Sequence, residues 1–87
     1  MKPVTIYTRA LCPYCWRAID LLRHKGAAVT EIDVTCDKAG REEMIRRSGG
    51  RRTYPQIFVG ETHVGGCDDL HALDARGGLE PLLMGAA

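Results

Sequence analysis

The stretch Val4-Thr5-Ile6-Tyr7-Thr8-Arg9-Ala10-Leu11-Cys12-Pro13-Tyr14-Cys15-Trp16-Arg17-Ala18-Ile19 decides the reading of this chain. Val4 to Thr8 is rich in β-branched and aromatic residues and reads as a strand. Beyond it, Cys15, Ala18, Ile19 and Leu22 recur at helical spacing. Cys12 therefore falls at a strand-to-helix junction, and Pro13 suits the first helical position because the N–H it lacks would have gone unbonded. Cys12 and Cys15 then lie one helical turn apart, a spacing suited to making and breaking a disulfide. The unpaired N–H groups of the first turn and the positive end of the helix dipole favour negative charge on the Cys12 sulfur, and the thiolate is the reactive form of cysteine. Cys12 is expected at the surface, with Cys15 one turn into the helix and less accessible.

Other chemistries fit the pair less well. A structural zinc site needs four ligands, whereas Cys36 and Cys67 are isolated thiols with no second C-x-x-C knuckle. A purely structural disulfide across so short a loop would remove little entropy from the unfolded chain. Cys36 or Cys67 can each serve as a small buried hydrophobe. Four cysteines with no leader-like segment point to redox chemistry in a reducing compartment rather than a disulfide scaffold.

At 87 residues the chain reads as one small domain, 1–87, with room for a single core. The formal charge of +1, with both signs mixed along the sequence, offers no block of the kind that binds nucleic acid or an anionic membrane. Arg46, Arg47, Arg51 and Arg52 form the nearest approach to one and read as a solvated helix end and loop, the cations stabilising the helix C-terminus; the lesser alternative is a docking surface for an acidic partner or a carboxylate-bearing ligand. The N-terminus enters a strand pattern at once, with no apolar stretch of signal-peptide or transmembrane length, so a cytoplasmic protein is expected.

The elements read as strand 3–8, helix 13–25 ending at Gly26, strand 28–34, helix 38–48 capped by Asp37 and stopped at Gly49-Gly50, a hairpin of 56–59 and 62–64 about Gly60-Glu61, and helices 67–76 and 79–84. The order β-α-β-α-β-β-α-α requires a mixed sheet, an α/β fold with helices on both faces.

Three motifs in this order carry a resemblance: Cys12-Pro13-Tyr14-Cys15, Thr53-Tyr54-Pro55 before the hairpin, and Gly65-Gly66-Cys67-Asp68-Asp69-Leu70 after it. Together with Arg41-Glu42-Glu43-Met44-Ile45 and Leu73-Asp74-Ala75-Arg76-Gly77-Gly78-Leu79, they make the chain similar end to end to bacterial glutaredoxins of the short glutaredoxin 3 type. The resemblance implies a thioredoxin-like fold with a four-stranded mixed sheet. It implies a glutathione-dependent thiol-disulfide oxidoreductase that reduces protein disulfides and glutathione mixed disulfides, with Cys12 as nucleophile and Cys15 as resolving thiol. Glutathione is then a reducing co-substrate, with no tightly bound cofactor and no metal. The partners are disulfide-containing or glutathionylated client proteins, with a monomer as the simplest assembly.

Carried over residue by residue, the family pattern makes Pro55 a cis-proline and turns the Tyr54 backbone toward Cys12, where it pairs with the cysteinyl part of glutathione as an added strand would. Thr53 belongs to the same edge. Gly66, Cys67 and Asp68 open a helix whose N–H groups suit the γ-glutamyl carboxylate, with Asp68 or Asp69 for the amine and Asp68 as an alternative N-cap. Arg9, where relatives often have Lys, is the cation for the glycyl carboxylate, and Tyr14 lines the groove. His24, His63 and His71 fall on separate elements and read as surface or structural residues. The chain departs from the family at Tyr54, usually Val, and at Trp16, usually polar or basic; Trp16 reads as an exposed aromatic covering the helix, with client docking the lesser alternative, and Cys67 as an inert small residue, with a further disulfide or glutathionylation the lesser alternative. Two rival readings follow from the same likeness. One is a module in which two copies hold a [2Fe–2S] cluster through Cys12 and two glutathiones, although relatives that do so more often lack Pro13. The other is a thioredoxin reduced by a flavoprotein, against which the Gly66-Cys67-Asp68 loop speaks.

Overall fold

In a computed structural model, which describes residues 1–85, Val4–Thr8 forms β1 and Pro13–His24 forms α1. Val29–Asp33 forms β2, Lys38–Arg47 α2, Gln56–Val59 β3 and Thr62–Gly65 β4, and the chain closes with α3 over Cys67–Ala75 and α4 over Leu79–Leu83. Residues 86 and 87, the end of the 1–87 span read from sequence, lie outside the described residues. The expected element order holds throughout, with ends displaced by two residues or fewer. Among the described residues no helix is long and apolar enough to cross a membrane.

The four strands lie in the order β2-β1-β3-β4. β1 pairs in parallel with β2, Val4 opposite Val29, and antiparallel with β3, Tyr7 opposite Gln56. The β3–β4 hairpin turns at Gly60, whose φ of 56° suits the tight connection, and its ladder slips by one residue between Ile57 and Phe58.

Period-two alternation divides the sheet between two cores. Val4, Ile6, Ile57 and Val59 face one side, where Ala18, Ile19 and Leu22 of α1, Leu70 of α3 and Leu79 and Leu83 of α4 pack on them. Tyr7 and Phe58 face the other, against Met44 of α2 and Val34. Helices thus flank both faces, three on one side and α2 alone on the other, in the thioredoxin-like arrangement. The chemistry-bearing segments converge because of strand direction. The carboxyl end of β1, the start of the antiparallel β3 and the end of β4 all emerge at one edge of the sheet.

The Arg46, Arg47, Arg51 and Arg52 cluster is not the plain solvated helix end read from sequence. The Arg47 guanidinium lies 4.3 Å from the Phe58 ring centroid and donates to the Tyr7 hydroxyl at 2.8 Å, so a helix-end cation covers the smaller core.

Gly65, where β4 turns into α3, sits at φ 117°, and a Cβ there would fall 2.3 Å from the Asp69 carboxylate oxygen. Gly65→Ala therefore combines an unfavourable backbone conformation with displacement of the Asp69 side chain. The expected loss of stability is about 1–3 kcal/mol, read from the urea midpoint at constant m-value.

Candidate active site

Cys12 is the N-cap of α1, in an extended conformation at φ −112° and ψ 97°, with Pro13 at the first helical position. Its Sγ accepts a hydrogen bond from the Cys15 N–H at 3.2 Å, and its carbonyl receives the Trp16 N–H at 3.2 Å. The sulfur itself thus performs the capping that a serine or aspartate oxygen usually supplies. The loop before it is pinned from β2: the Ala10 N–H donates to Thr35 Oγ1 at 2.7 Å, and Thr35 is in turn held by Asp33. Leu11, with φ 55°, makes the turn that swings Cys12 onto the helix axis.

The sequence reading placed Cys12 at the surface; the structure leaves it 4% exposed, against 1% for Cys15. The capping hydrogen bond turns the sulfur back toward the first turn of the helix and away from solvent. Burial, then the hydrogen bond to Cys12, push the Cys15 thiol up to about 12, opposed by a backbone contact from Arg9. Cys15 is therefore a protonated thiol at neutral pH. Cys12 sits at the open N-terminal end of α1.

Beside the thiols runs a groove of about 460 Å³. Thr53, Tyr54 and Pro55 form one wall, Gly66, Cys67, Asp68 and Asp69 the other, with Tyr14 and Arg51 completing it. The Tyr54-Pro55 peptide bond is cis, as the motif implied. Sheet pairing begins at Gln56, so the Tyr54 backbone lies beyond the ladder. On the opposite wall the Gly66 N–H is already taken, donating to Asp69 at 2.8 Å, which leaves the N–H groups at the start of α3 as the open donors. Asp69, not Asp68, thus does the capping. The Gly66 N–H, with Arg51 assisting against slight burial, holds the Asp69 carboxyl below the usual carboxylate range.

Of the residues singled out from sequence, the structure brings all but Arg9, Cys12 and Cys15 directly to the lining of this groove; Cys12 and Cys15 flank Tyr14, which does line it. Arg9 instead lines an adjoining depression of about 350 Å³ with Arg41. The Tyr54 ring borders both spaces and carries the Arg9 guanidinium 5.6 Å from its centroid. Cys67 is buried, which pushes its thiol up, Asp68 and Cys12 adding to the effect and Arg17 opposing it. Its Sγ also lies 3.5 Å from His71 Nδ1. Cys36 is exposed. Trp16 is 55% exposed, the exposed aromatic that the sequence offered on α1.

Arg51, which the sequence offers only as one of the arginine cluster, also lines the groove. Its guanidinium lies 3.5 Å from Asp69 and bridges the two walls. Its place two residues before Thr53, within the arginine cluster, was the available signal; only the fold shows which arginine of the cluster faces the groove.

Two outcomes follow from these electrostatics. Iodoacetamide at pH 8 should alkylate Cys15 at least about a hundredfold more slowly in the folded reduced protein than in the urea-unfolded one, the thiolate fraction and access both being smaller in the folded chain; mass mapping of the labelled peptides measures it. Because the Asp69 carboxyl lies lower in the folded chain than unfolded, the stability it adds is fully present above its unfolded value of about 3.9 and is lost as pH falls through the folded one. Urea titrations should therefore find Asp69→Asn less stable than wild type at neutral pH, with the difference closing in acid below about pH 4.

Comparison with known proteins agrees with this architecture. The glutaredoxin family model matches residues 4–64. Over 83 residues the chain is 59% identical to glutaredoxin 3 of Escherichia coli strain K12, covering 95% of this chain and 99% of that protein. The solution structure of a glutaredoxin from Brucella melitensis is 57% identical and matches with a TM-score of 0.82, over 95% of this chain and 89% of that one. A crystal structure of a buckwheat glutaredoxin–glutathione complex, 28% identical, matches with a TM-score of 0.86 over 98% of this chain and 79% of that one. With its strand order, its capping cysteine and its cis-proline groove, the chain belongs to the glutaredoxin family of thiol-disulfide oxidoreductases.

Proposed function

We propose that this protein is a cytosolic, monomeric, single-domain glutaredoxin that uses glutathione to reduce glutathione mixed disulfides and protein disulfides. The observation that carries the reading is the Cys12 sulfur capping α1, held by the Cys15 N–H, beside the open backbone of the cis Tyr54-Pro55 step.

In the one-thiol route the Cys12 thiolate attacks the glutathionyl sulfur of a mixed disulfide. The bond between that sulfur and the client sulfur breaks, and the client leaves as a thiolate that takes up a proton. A second glutathione thiolate then attacks the glutathionyl sulfur on Cys12, releasing oxidised glutathione and restoring the Cys12 thiolate. In the two-thiol route the Cys12 thiolate attacks one sulfur of a client disulfide, the client S–S bond breaks, its other sulfur leaves as a thiolate that takes up a proton, and Cys12 is left in a mixed disulfide with the client. Cys15 gives up its proton and attacks the Cys12 sulfur, closing the Cys12–Cys15 disulfide and releasing the client thiol; two glutathiones reduce it again.

The high Cys15 value supports this order of events. Once Cys12 is in a disulfide it carries no charge, so the part of the Cys15 shift due to a neighbouring thiolate disappears, leaving burial and the Glu31 charge to raise it and the Arg9 backbone to oppose them. Cys15 thus becomes easier to ionise when its turn comes.

In the groove, the Tyr54 N–H and C=O pair with the cysteinyl part of glutathione, and Thr53 and Pro55 shape that edge. The N–H groups at Cys67 and Asp68 receive the γ-glutamyl carboxylate beside Gly66, and the Asp68 carboxylate faces the amine. Asp69, committed to Gly66 and Arg51, holds that wall in place. Arg9 meets the glycyl carboxylate across the Tyr54 ring, and Tyr14 flanks the mixed disulfide.

Turnover of the mixed disulfide between glutathione and 2-mercaptoethanol tests the reading. Cys12→Ser should lose activity by about a hundredfold or more, while Cys15→Ser keeps the same order of activity as wild type. An inactive wild type with Cys12 confirmed reduced would overturn it, and brown colour with visible absorption after anaerobic purification would turn the assignment to the cluster-binding module instead.

A further inference from the structure

Gln56 is a fully buried amide at the first position of β3, with every polar atom engaged. Its Nε2 donates to the Thr53 carbonyl and to Thr53 Oγ1, each at 3.0 Å, and its Oε1 lies 2.7 Å from His63 Nε2. The orientation of this amide follows from chemistry. The Thr53 carbonyl can only accept, so the NH₂ of Gln56 must face it and the oxygen must face His63. His63 must therefore carry a proton on Nε2 and donate it. Burial, together with Arg51 and against Asp69, holds the imidazole toward its neutral form, and the Gln56 Oε1 acceptor selects the Nε2–H tautomer of it. The ring is steadied by Phe58, stacked at 4.8 Å and 28°, whose own ring lies under the Arg47 guanidinium.

This chain of contacts ends where the groove begins. Thr53 immediately precedes Tyr54 and lines the groove, while His63 lies on β4, the strand that leads into Gly66 and the opposite wall. Residues 51–53 are exposed, and at the near end Ser48 holds only the Arg51 backbone. At the far end the grip on Thr53 is the Gln56 amide.

We propose that His63 is a positioning residue for the thiol-exchange reaction, acting through Gln56 to hold Thr53 and with it the Tyr54 backbone edge. The role rests on the reading of the groove as a glutathione site. It predicts an effect on binding rather than on chemistry, because neither residue approaches the thiols. A donor at position 63 is what the relay needs, and an aromatic ring is secondary to it.

The test is steady-state turnover of the glutathione–2-mercaptoethanol mixed disulfide by wild type, His63→Leu, His63→Gln, Gln56→Leu and the double variant His63→Leu/Gln56→Leu. His63→Leu should raise KM about tenfold, with kcat within about twofold, the loss expected for one buried hydrogen bond. His63→Gln, whose side-chain NH₂ can donate to the same oxygen, should return KM to within about twofold of wild type. The double variant should be no worse than Gln56→Leu, since both cut one relay. An unchanged KM in folded His63→Leu, a His63→Gln variant as impaired as His63→Leu, or effects that multiply in the double variant would each overturn the role.

Hydrogen exchange of the Gln56 side-chain amide, followed by NMR, reads the relay without turnover. It should quicken about tenfold or more in His63→Leu and not in His63→Gln. Equal exchange in wild type and His63→Leu overturns the relay even where activity is normal. A wild type without turnover but with the protected amide overturns the glutathione reading, and the proposed role with it, while leaving the contact intact.

Discussion

The antiparallel pairing of β1 with β3, Tyr7 opposite Gln56, is the constraint on which the site depends. It sets the residues that follow Thr8 beside those that precede Gln56. The loop carrying Cys12 and the Thr53-Tyr54-Pro55 step therefore meet at one edge, although more than forty residues separate them in sequence. The β3–β4 hairpin then brings Gly65 and Gly66 back to the same edge, and α3 starts there. A slip of one residue between β1 and β3 would invert the faces of β3 and carry Ile57 and Val59 out of the larger core. The apolar alternation that fills two cores is thus also what aligns the groove.

Within that frame, function comes from using a backbone donor on a sulfur. A helix start needs a cap, and here the cap is the Cys12 thiol. The contact that completes α1 also turns the sulfur inward, so a group expected at the surface is nearly enclosed. The difference between the two cysteines follows from the same geometry. Cys12 lies at the open end of the helix, and Cys15, one turn on, is buried and faces the first sulfur.

The groove walls are themselves held by polar contacts that reach away from the thiols. Asp69 closes on Gly66 and meets Arg51, so the glycine pair, the aspartate and an arginine from the preceding loop act together. Gly65 has no side chain because that carboxylate occupies the place where a Cβ would be. On the α2 face, Arg47, Tyr7, Phe58, His63 and Gln56 form a continuous set of contacts from a helix end to the groove. The smaller core is therefore polar at its edges, and at one of them Gln56 reaches Thr53 in the groove wall.

By itself the sequence determined the elements and the thiol chemistry. Helical spacing after Cys15, Pro13 at a first turn, alternation in Val4 to Thr8 and glycines at the stops are local signals, and the structure reproduces each within two residues. The motifs at Cys12, Pro55 and Gly66 were legible for the same reason, because each encodes a local backbone geometry. Tertiary structure alone decided which of four clustered arginines faces the groove, that Arg47 covers aromatic rings, that Arg9 lies across Tyr54 from the main groove, and that Cys12 is enclosed. It also decided the partner of His63, which the sequence offered only as a surface or structural residue. Side-chain direction at a helix end or in a loop follows from what the sheet brings opposite it, and that pairing is a property of the folded chain rather than of any window of the sequence.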